Sequence, residues 1–125
     1  FLDPVSKVEL AGLMASADFG LQILANIPAF YYGTSPNKFF DYLASGLPVM
    51  TNYPGWVADL ITEHNCGVVV APDNPKEFAE ALCAVSENKS ELEKMGVEAR
   101  SLAAKEFSRD KLSDEFVFWL EETAL

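Results

Sequence analysis

The sequence has 125 residues, of which 50% are hydrophobic, 12% aromatic and 22% charged. This length and composition are typical of a single packed domain and exclude an intrinsically disordered chain. The 9 basic and 19 acidic residues give a net charge of −10, which argues against nucleic acid as a partner, because phosphate contacts need clustered Lys and Arg.

Short apolar runs alternate with capped amphipathic stretches, a pattern typical of a parallel α/β sheet. Residues 1–5 are predicted to form a strand. Ser6 and Glu9 have the spacing of a capping box, which predicts a helix that ends near Ala17. The side chains predicted to face the sheet from this helix are Val8, Leu10, Leu13 and Met14.

The next segments predict a strand, a loop and a helix. Residues 18–24 are apolar enough for a buried central strand, and residues 25–34 form a loop. Ser35 is predicted to be the N-cap of the following helix and Pro36 its first residue, where the missing N–H costs nothing. Gly46 is predicted to end it.

The middle of the chain repeats this alternation. Strands are predicted over residues 47–51 and 67–71, with a short helix over 56–64 between them. Asn74, followed by a proline and an acidic residue, predicts a helix that runs through about Glu87.

The remaining residues carry no strand signal, so the tail is predicted to be all helical, with helices that start at Ser90 and Ser108. The fold class is therefore α/β: a Rossmann-like parallel sheet of four strands with flanking helices and a helical tail.

Four aromatic side chains are predicted to serve in packing, namely Trp56, Phe116, Phe118 and Trp119. His64 is predicted to cap a helix end rather than to act in catalysis. Apolar residues left exposed on the last helix predict self-association.

Membrane and metal chemistry find no support in the sequence. No stretch reaches the roughly 18 uncharged apolar residues of a membrane-spanning helix, and the first residues do not resemble a signal peptide. We therefore expect no membrane contact from this chain.

Cys66 and Cys83 have no further Cys or His at metal-ligand spacing. A disulfide between them is an open alternative, but their surroundings favour two buried, reduced thiols and hence a cytoplasmic protein.

The start of the helix after residue 34 is the candidate binding site, because ligands of open parallel sheets lie where strands lead into helices. The N–H groups of Asn37, Lys38 and Phe39, the helix dipole and the Lys38 ammonium suit a diphosphate. Asp41, one turn further, suits the paired hydroxyls of a ribose. An ordinary capped helix, with a surface ion pair between Lys38 and Asp41, is the alternative that these residues leave open.

Residues 35–50, SPNKFFDYLASGLPVM, resemble the nucleotide-sugar-binding segment of retaining GT-B glycosyltransferases of the family 4, group 1 type, which follows S-P-N-K-x-x-E-Y-x-A-x-G-x-P-V. Flanking segments resemble the family in the same order, over residues 1–24, 55–72, 74–82 and 95–112. The resemblance implies that residues 1–125 are a truncated C-terminal, donor-binding domain of the GT-B fold. It also implies an absent N-terminal domain that binds the acceptor, so we expect no transfer activity from these residues alone.

The resemblance also implies roles for particular residues. Ser35, Pro36, Asn37, Lys38 and Phe39 match the diphosphate-binding segment, and Asp41 matches a glutamate that binds the ribose. In the family a second glutamate, eight positions earlier, meets the sugar.

At that position this sequence has Gly33. Tyr31, Tyr32 and the backbone at Gly33 are therefore the expected sugar contacts. No catalytic residue is assigned within the chain.

The family also implies the reaction, which is transfer of a hexosyl or N-acetylhexosaminyl group from a nucleotide sugar with retention of configuration. A UDP-sugar is preferred over a GDP-sugar. The acceptor would be a glycan or lipid-linked sugar of bacterial surface polysaccharide or glycolipid synthesis. The nucleotide sugar is a substrate, and neither cofactor nor metal is expected. Any association with the inner membrane face would come from the absent domain.

Two alternatives remain. A sugar-nucleotide epimerase of GT-B architecture would need acid–base residues in the cleft, for which His64 is poorly placed. A non-catalytic interaction module of the receiver type would need an acidic cluster at the strand ends and a late lysine.

Overall fold

The computed structural model describes residues 2–124. Three short parallel strands form one sheet in the order β1-β2-β3. The elements in chain order are α1 Lys7–Ala15, β1 Gly20–Gln22, a 3₁₀ turn Pro28–Phe30, α2 Asn37–Ser45, β2 Val49–Thr51, α3 Trp56–Glu63, β3 Gly67–Val69, α4 Pro75–Ser86, α5 Lys89–Glu106 and α6 Arg109–Thr123. The predicted α/β class with a helical tail is therefore confirmed.

The sheet is held in register by parallel pairing on both sides of β2. Val49 is opposite Gly20 of β1 and Gly67 of β3. All three residues of β2 are buried, as expected for the central strand of a parallel sheet. The hydrophobic core lies where β2 meets α2, α3 and α5, and it consists of Phe39, Leu43, Val49, Tyr53, Val57, Ile61, Cys66, Ala99 and Leu102.

Helices α2 and α5 make the most extensive helix–helix contact. Gly46 ends α2 in a left-handed conformation with φ of 72°, which confirms it as the predicted stop. A Cβ on Gly96 of α5 would lie 2.6 Å from the Gly46 carbonyl oxygen. The absence of a side chain at Gly96 therefore allows the two backbones to approach.

One strand prediction was wrong, and a second was wrong in the strand's length and place in the sheet. Residues 2–6 carry no regular structure, and Phe1 lies outside the described residues. Pro4 lacks a donor for a ladder, and this segment does not pair with the outer edge of β1. The run over 18–24 forms only the three residues of β1, at an edge of the described sheet rather than at its centre. Its apolar character indicated burial, but the pairing order decides which strand is central.

The face of α1 was also predicted wrongly. The capping box of Ser6 and Glu9 is present, which confirms the helix start. The helix, however, packs against α2 rather than against the sheet. Val8 is 83% exposed and Leu13 is exposed as well.

The helix caps were predicted correctly at Asn74 and Ser108, whose side chains accept hydrogen bonds from the third residue of α4 and α6. Ser35 is not a cap, because α2 begins one residue later than predicted and Pro36 occupies the N-cap position without a side-chain bond. The start of α5 is capped by Asn88, not by Ser90. An Asn accepts from the N–H three residues on as readily as a Ser does, which is why the helix can begin two residues before the predicted start.

The thiols differ from each other. Cys66 and Cys83 are both free, as predicted, but only Cys66 is buried. Cys83 lies on the exposed side of α4, because no element of the described chain covers that side. Burial raises the pKa of the Cys66 thiol to about 11.

Helix α6 exposes the apolar residues that were predicted to remain uncovered. Phe116, Phe118 and Trp119 are each more than half exposed, and Phe116 and Trp119 stack on each other at 6.0 Å. Packing of these side chains against parts of a longer protein stays a prediction. Trp56 does pack, against Phe39 and Phe40. Self-association through α6 stays a prediction.

Candidate functional site

The three parallel strands end at the same edge of the sheet. From there the chain continues into loops over residues 23–36, 52–55 and 70–74. Ligands of open parallel sheets bind outside this carboxyl edge. A cavity of about 250 Å³ lies there, lined by Ile23, Asn52, Ala71, Asp73, Asn74, Pro75 and Phe78. This edge is therefore the candidate functional site.

Side-chain hydrogen bonds hold the first of these loops in place. Asn52, directly after β2, accepts from the Leu24 N–H and donates to the Leu24 carbonyl, both at 2.9 Å. Asn26 donates to Asp73 at 2.6 Å and accepts from the hydroxyl of Tyr31. These bonds join the loops after β1, β2 and β3 into one connected surface.

The start of α3 supports the same loop from the other side. Gly55 has φ of 122° and ψ of −174°, a conformation essentially restricted to glycine. A Cβ at Gly55 would lie 2.1 Å from the Tyr31 carbonyl oxygen. The indole of Trp56 donates to the Thr34 carbonyl at 2.9 Å. The loop can therefore approach α3 this closely only because Gly55 has no side chain.

The first turn of α2 presents donors toward the edge. The N–H groups of Asn37 and Lys38 have no acceptor in residues 2–124, whereas the Phe39 N–H donates to the Pro36 carbonyl at 3.0 Å. The Phe39 ring is buried in the core, and Ser35 is exposed. Two of the three predicted amides are therefore available to a ligand.

The Lys38 side chain lies at the end of β1. Its ammonium is 3.3 Å from the Leu21 carbonyl oxygen, and the Tyr42 hydroxyl is 3.5 Å from the same atom. Burial raises the pKa of Tyr42, and the neighbouring Asp41 charge adds to this rise. The protonated phenol therefore persists over the neutral range, next to an ammonium at the sheet edge.

Asp41 is paired with α1 rather than with its own helix. The Lys7 ammonium contacts its two carboxylate oxygens at 2.6 and 2.7 Å. The alternative pairing with Lys38 was therefore wrong. Lys38 points to β1, so it is not oriented toward the carboxylate three residues later.

The three expected sugar contacts have different surroundings. Tyr31 is half-buried and stacks on Tyr53 with ring centroids 6.5 Å apart. Tyr32 is 73% exposed. A Cβ at Gly33 would lie 3.4 Å from the Ala29 carbonyl oxygen, an ordinary contact, and the backbone there has no positive φ. The loop would accept a side chain at position 33.

Sequence reasoning missed the residues that organise this edge: Lys7, Asn26, Asn52 and Asp73. Asn52 and Asp73 each follow a predicted strand closely, and that position was an available signal. Lys7 is 34 positions from its partner, and nothing local indicates that contact. Within residues 2–124, no group of three or more His, Cys, Asp or Glu side chains is arranged to hold a metal ion.

A family model described as "Glycosyl transferases group 1" matches residues 1–88, which span α1 to α4 and all of the site residues above. No curated protein matches the chain. Over the part of the chain that the structure describes, no helix is long and apolar enough to cross a membrane.

Proposed function

The chain belongs to the group 1 glycosyltransferases, and on that premise we propose that the start of α2 and the loop before it bind a nucleotide-sugar donor. The observation that supports this most is the pair of unbonded N–H groups at Asn37 and Lys38 beside the Lys38 ammonium. Glycosyl transfer acts on a donor whose leaving group is a diphosphate, and these groups suit that anion.

Charge stabilisation is the task that this arrangement performs. As the bond to the sugar breaks, negative charge grows on the departing diphosphate, and fixed donors that face it lower the barrier. The chain has a net charge of −10, so a local cation is needed for an anion to approach. Lys38 and the amide groups supply this positive potential at the sheet edge.

Asp41 is proposed to accept hydrogen bonds from the ribose hydroxyls. Lys7 contacts both of its oxygens, but each carboxylate oxygen has more than one lone pair, so acceptor capacity remains. The ion pair also offsets the repulsion between Asp41 and a nearby diphosphate. Because Lys7 balances its charge, Asp41 can lie near the diphosphate of the donor.

Tyr32 is the proposed sugar contact within the loop. The Tyr31 hydroxyl already donates to Asn26, whereas Tyr32 is exposed and its phenol is available. Gly33 follows Tyr32 in the loop that leads to the start of α2, where the sugar of the donor is proposed to lie.

The finer features of the reaction belong to the same proposal. The donor is proposed to be a UDP-sugar, transferred with retention of configuration to a glycan or lipid-linked acceptor of bacterial polysaccharide or glycolipid synthesis. The chain is proposed to form part of the C-terminal domain of a cytoplasmic GT-B enzyme, with the acceptor bound by an N-terminal domain. No metal takes part in this proposal.

Nucleotide binding tests the proposal directly. UDP, GDP and ADP are titrated into the ¹⁵N-labelled chain, and the amide signals of Asn37 and Lys38 are followed by NMR. UDP is expected to shift both signals at lower concentration than GDP or ADP. Absence of shifts at these amides with all three nucleotides would contradict the proposed donor site.

Matched variants separate a specific site from general charge. Lys38→Met is compared with Lys76→Met, because both lysines are the second residue of a helix that starts at the carboxyl edge. Asp41→Asn is compared with Asp59→Asn, an exposed first-turn acid of α3. UDP binding is expected to weaken only in the variants of α2. If Lys76→Met or Asp59→Asn weakened UDP binding as much as its partner variant in α2, the binding would depend on net charge and not on this site.

A further inference from the structure

A second cavity lies away from the carboxyl edge, between α2, α5 and the start of α6. Its volume is about 470 Å³, which is within the range of small-molecule sites. The lining residues are Phe40, Asp41, Leu43, Ala44, Arg100, Ala103, Ala104, Phe107, Ser108 and Arg109. Most of this lining is apolar, and the charged groups are two arginines and one aspartate.

The two arginines are unusual in this chain. The sequence contains only Arg100 and Arg109 among 9 basic residues. Both line this cavity, and Arg100 also borders a neighbouring one beside Gly46 and Gly96. The chain has 19 acidic residues, yet neither arginine forms an ion pair within residues 2–124. Their guanidinium groups also make no hydrogen bond to that part of the chain. Two guanidinium groups therefore remain available to a ligand.

The one acid of the lining does not cancel these charges. Asp41 is paired with Lys7 at 2.6 Å, so the local charge of the cavity is set by Arg100 and Arg109. A phosphate monoester carries about −1.5 to −2 charges at neutral pH, which two guanidinium groups match. Guanidinium also binds phosphate through paired N–H donors more favourably than an ammonium does.

The apolar part of the lining indicates what the phosphate is attached to. The Phe40 and Phe107 rings pack edge to face with centroids 5.0 Å apart, and Ala103 and Ala104 leave room beside them. Burial of an apolar body against such a surface contributes about 25 cal/mol per Å². A free phosphate would leave this surface in contact with water.

We propose that this cavity is a binding site for a phosphate monoester with an apolar body, held by Arg100 and Arg109 at its head and by the phenylalanines and alanines along its body. The arginines lie on α5 and α6 and are not among the donor-site residues, so the phosphate would be held apart from the proposed diphosphate contacts, although the cavity borders Asp41, the proposed ribose acceptor. The existence of this site does not depend on the nucleotide-sugar proposal.

The test uses the full chain and three probes: hexyl phosphate, hexanol and inorganic phosphate. Binding is followed through the amide signals of Ala104 and Phe107 by NMR. Hexyl phosphate is expected to bind at least about tenfold more tightly than either hexanol or phosphate, since each contains only half of the recognised features. Equal affinity for hexyl phosphate and hexanol would overturn the role of the arginines. Equal affinity for hexyl phosphate and phosphate would overturn the role of the apolar lining.

Variants locate the site. Arg100→Gln and Arg109→Gln are each expected to weaken hexyl phosphate about tenfold, whereas the control Lys105→Gln, on α5 but outside the cavity, leaves it unchanged. The aliphatic part of the Arg100 side chain packs beside Gly46. Arg100→Lys keeps an aliphatic chain and a positive charge, so it is expected to retain part of the affinity for hexyl phosphate. Ala104→Phe fills the cavity without altering charge and is expected to abolish binding.

Two results would refute the separate site. One is hexyl phosphate binding that Ala104→Phe leaves unchanged. The other is competition between UDP and hexyl phosphate at the Ala104 and Phe107 signals, which would assign the cavity to the nucleotide site. The donor proposal is judged by the Asn37 and Lys38 signals, so the two proposals can fail independently.

Discussion

Replacement of Gly55 by alanine tests whether the loop before α2 is held by its contact with α3. The backbone at Gly55 has φ of 122°, and a Cβ would lie 2.1 Å from the Tyr31 carbonyl oxygen. A non-glycine residue in this conformation costs about 1–3 kcal/mol, and overpacking adds about 1–3 kcal/mol. Together these terms predict a loss of about 2–6 kcal/mol, a large part of the total stability of a small domain, about 5–15 kcal/mol.

The assay is urea denaturation followed by tryptophan fluorescence in a Trp119→Phe background, so that the signal comes from Trp56, which donates to the same loop. The matched control is Gly12→Ala in α1, where no atom lies within 4 Å of the added Cβ. That variant is expected to be unchanged or stabilised by about 1 kcal/mol, the difference in helix propensity. A Gly55→Ala variant as stable as the wild type would refute the reasoning, because neither strain nor contact would then exist.

Three further outcomes are expected. A thiol reagent added to the native chain modifies Cys83 rapidly and Cys66 only after unfolding, because Cys66 is buried with its pKa raised to about 11; equal rates would contradict the burial. Asn52→Ala removes two hydrogen bonds to the loop after β1 and is expected to cost about 1–3 kcal/mol in urea denaturation, and a smaller loss than 0.5 kcal/mol would contradict these bonds. Hydrogen bonds from Ser6 lower the pKa of the Glu9 carboxyl in the folded chain. The cap therefore stabilises α1 at pH values above the pKa of Glu9 in the unfolded chain, and this stabilisation is lost as the pH falls through the pKa of Glu9 in the folded chain. In the Ser6→Ala variant, NMR titration should find the Glu9 pKa closer to its ordinary value.

Local signals were sufficient for most helices. Proline at the first helical positions, glycine at the end of α2 and side-chain caps are interactions within a few residues, so sequence spacing determines them. The capping box at Ser6 and the cap at Asn74 illustrate this. The start of α5 was predicted at Ser90, but the cap is Asn88, because an Asn two residues earlier can accept the same kind of hydrogen bond.

Tertiary relations were less predictable. The apolar run that contains β1 indicated burial, but its place in the sheet depends on which strands pair with it. The start of α2 could be proposed as a site from its sequence alone, whereas the ion pair between Lys7 and Asp41 joins two helices that are far apart in the chain. Both arginines were visible in the sequence, yet only the packing of α2, α5 and α6 brings them to one cavity.

The outer edge of β1 is short, and its one outward-facing carbonyl, that of Leu21, is contacted by Lys38 and Tyr42. Unpaired strand edges promote aggregation by strand addition, and a lysine at such an edge opposes it. A foreign strand would have to displace an ammonium and a phenol before it could pair. Loss of Lys38 would thus expose the chain to aggregation through β1, a cost unrelated to any ligand.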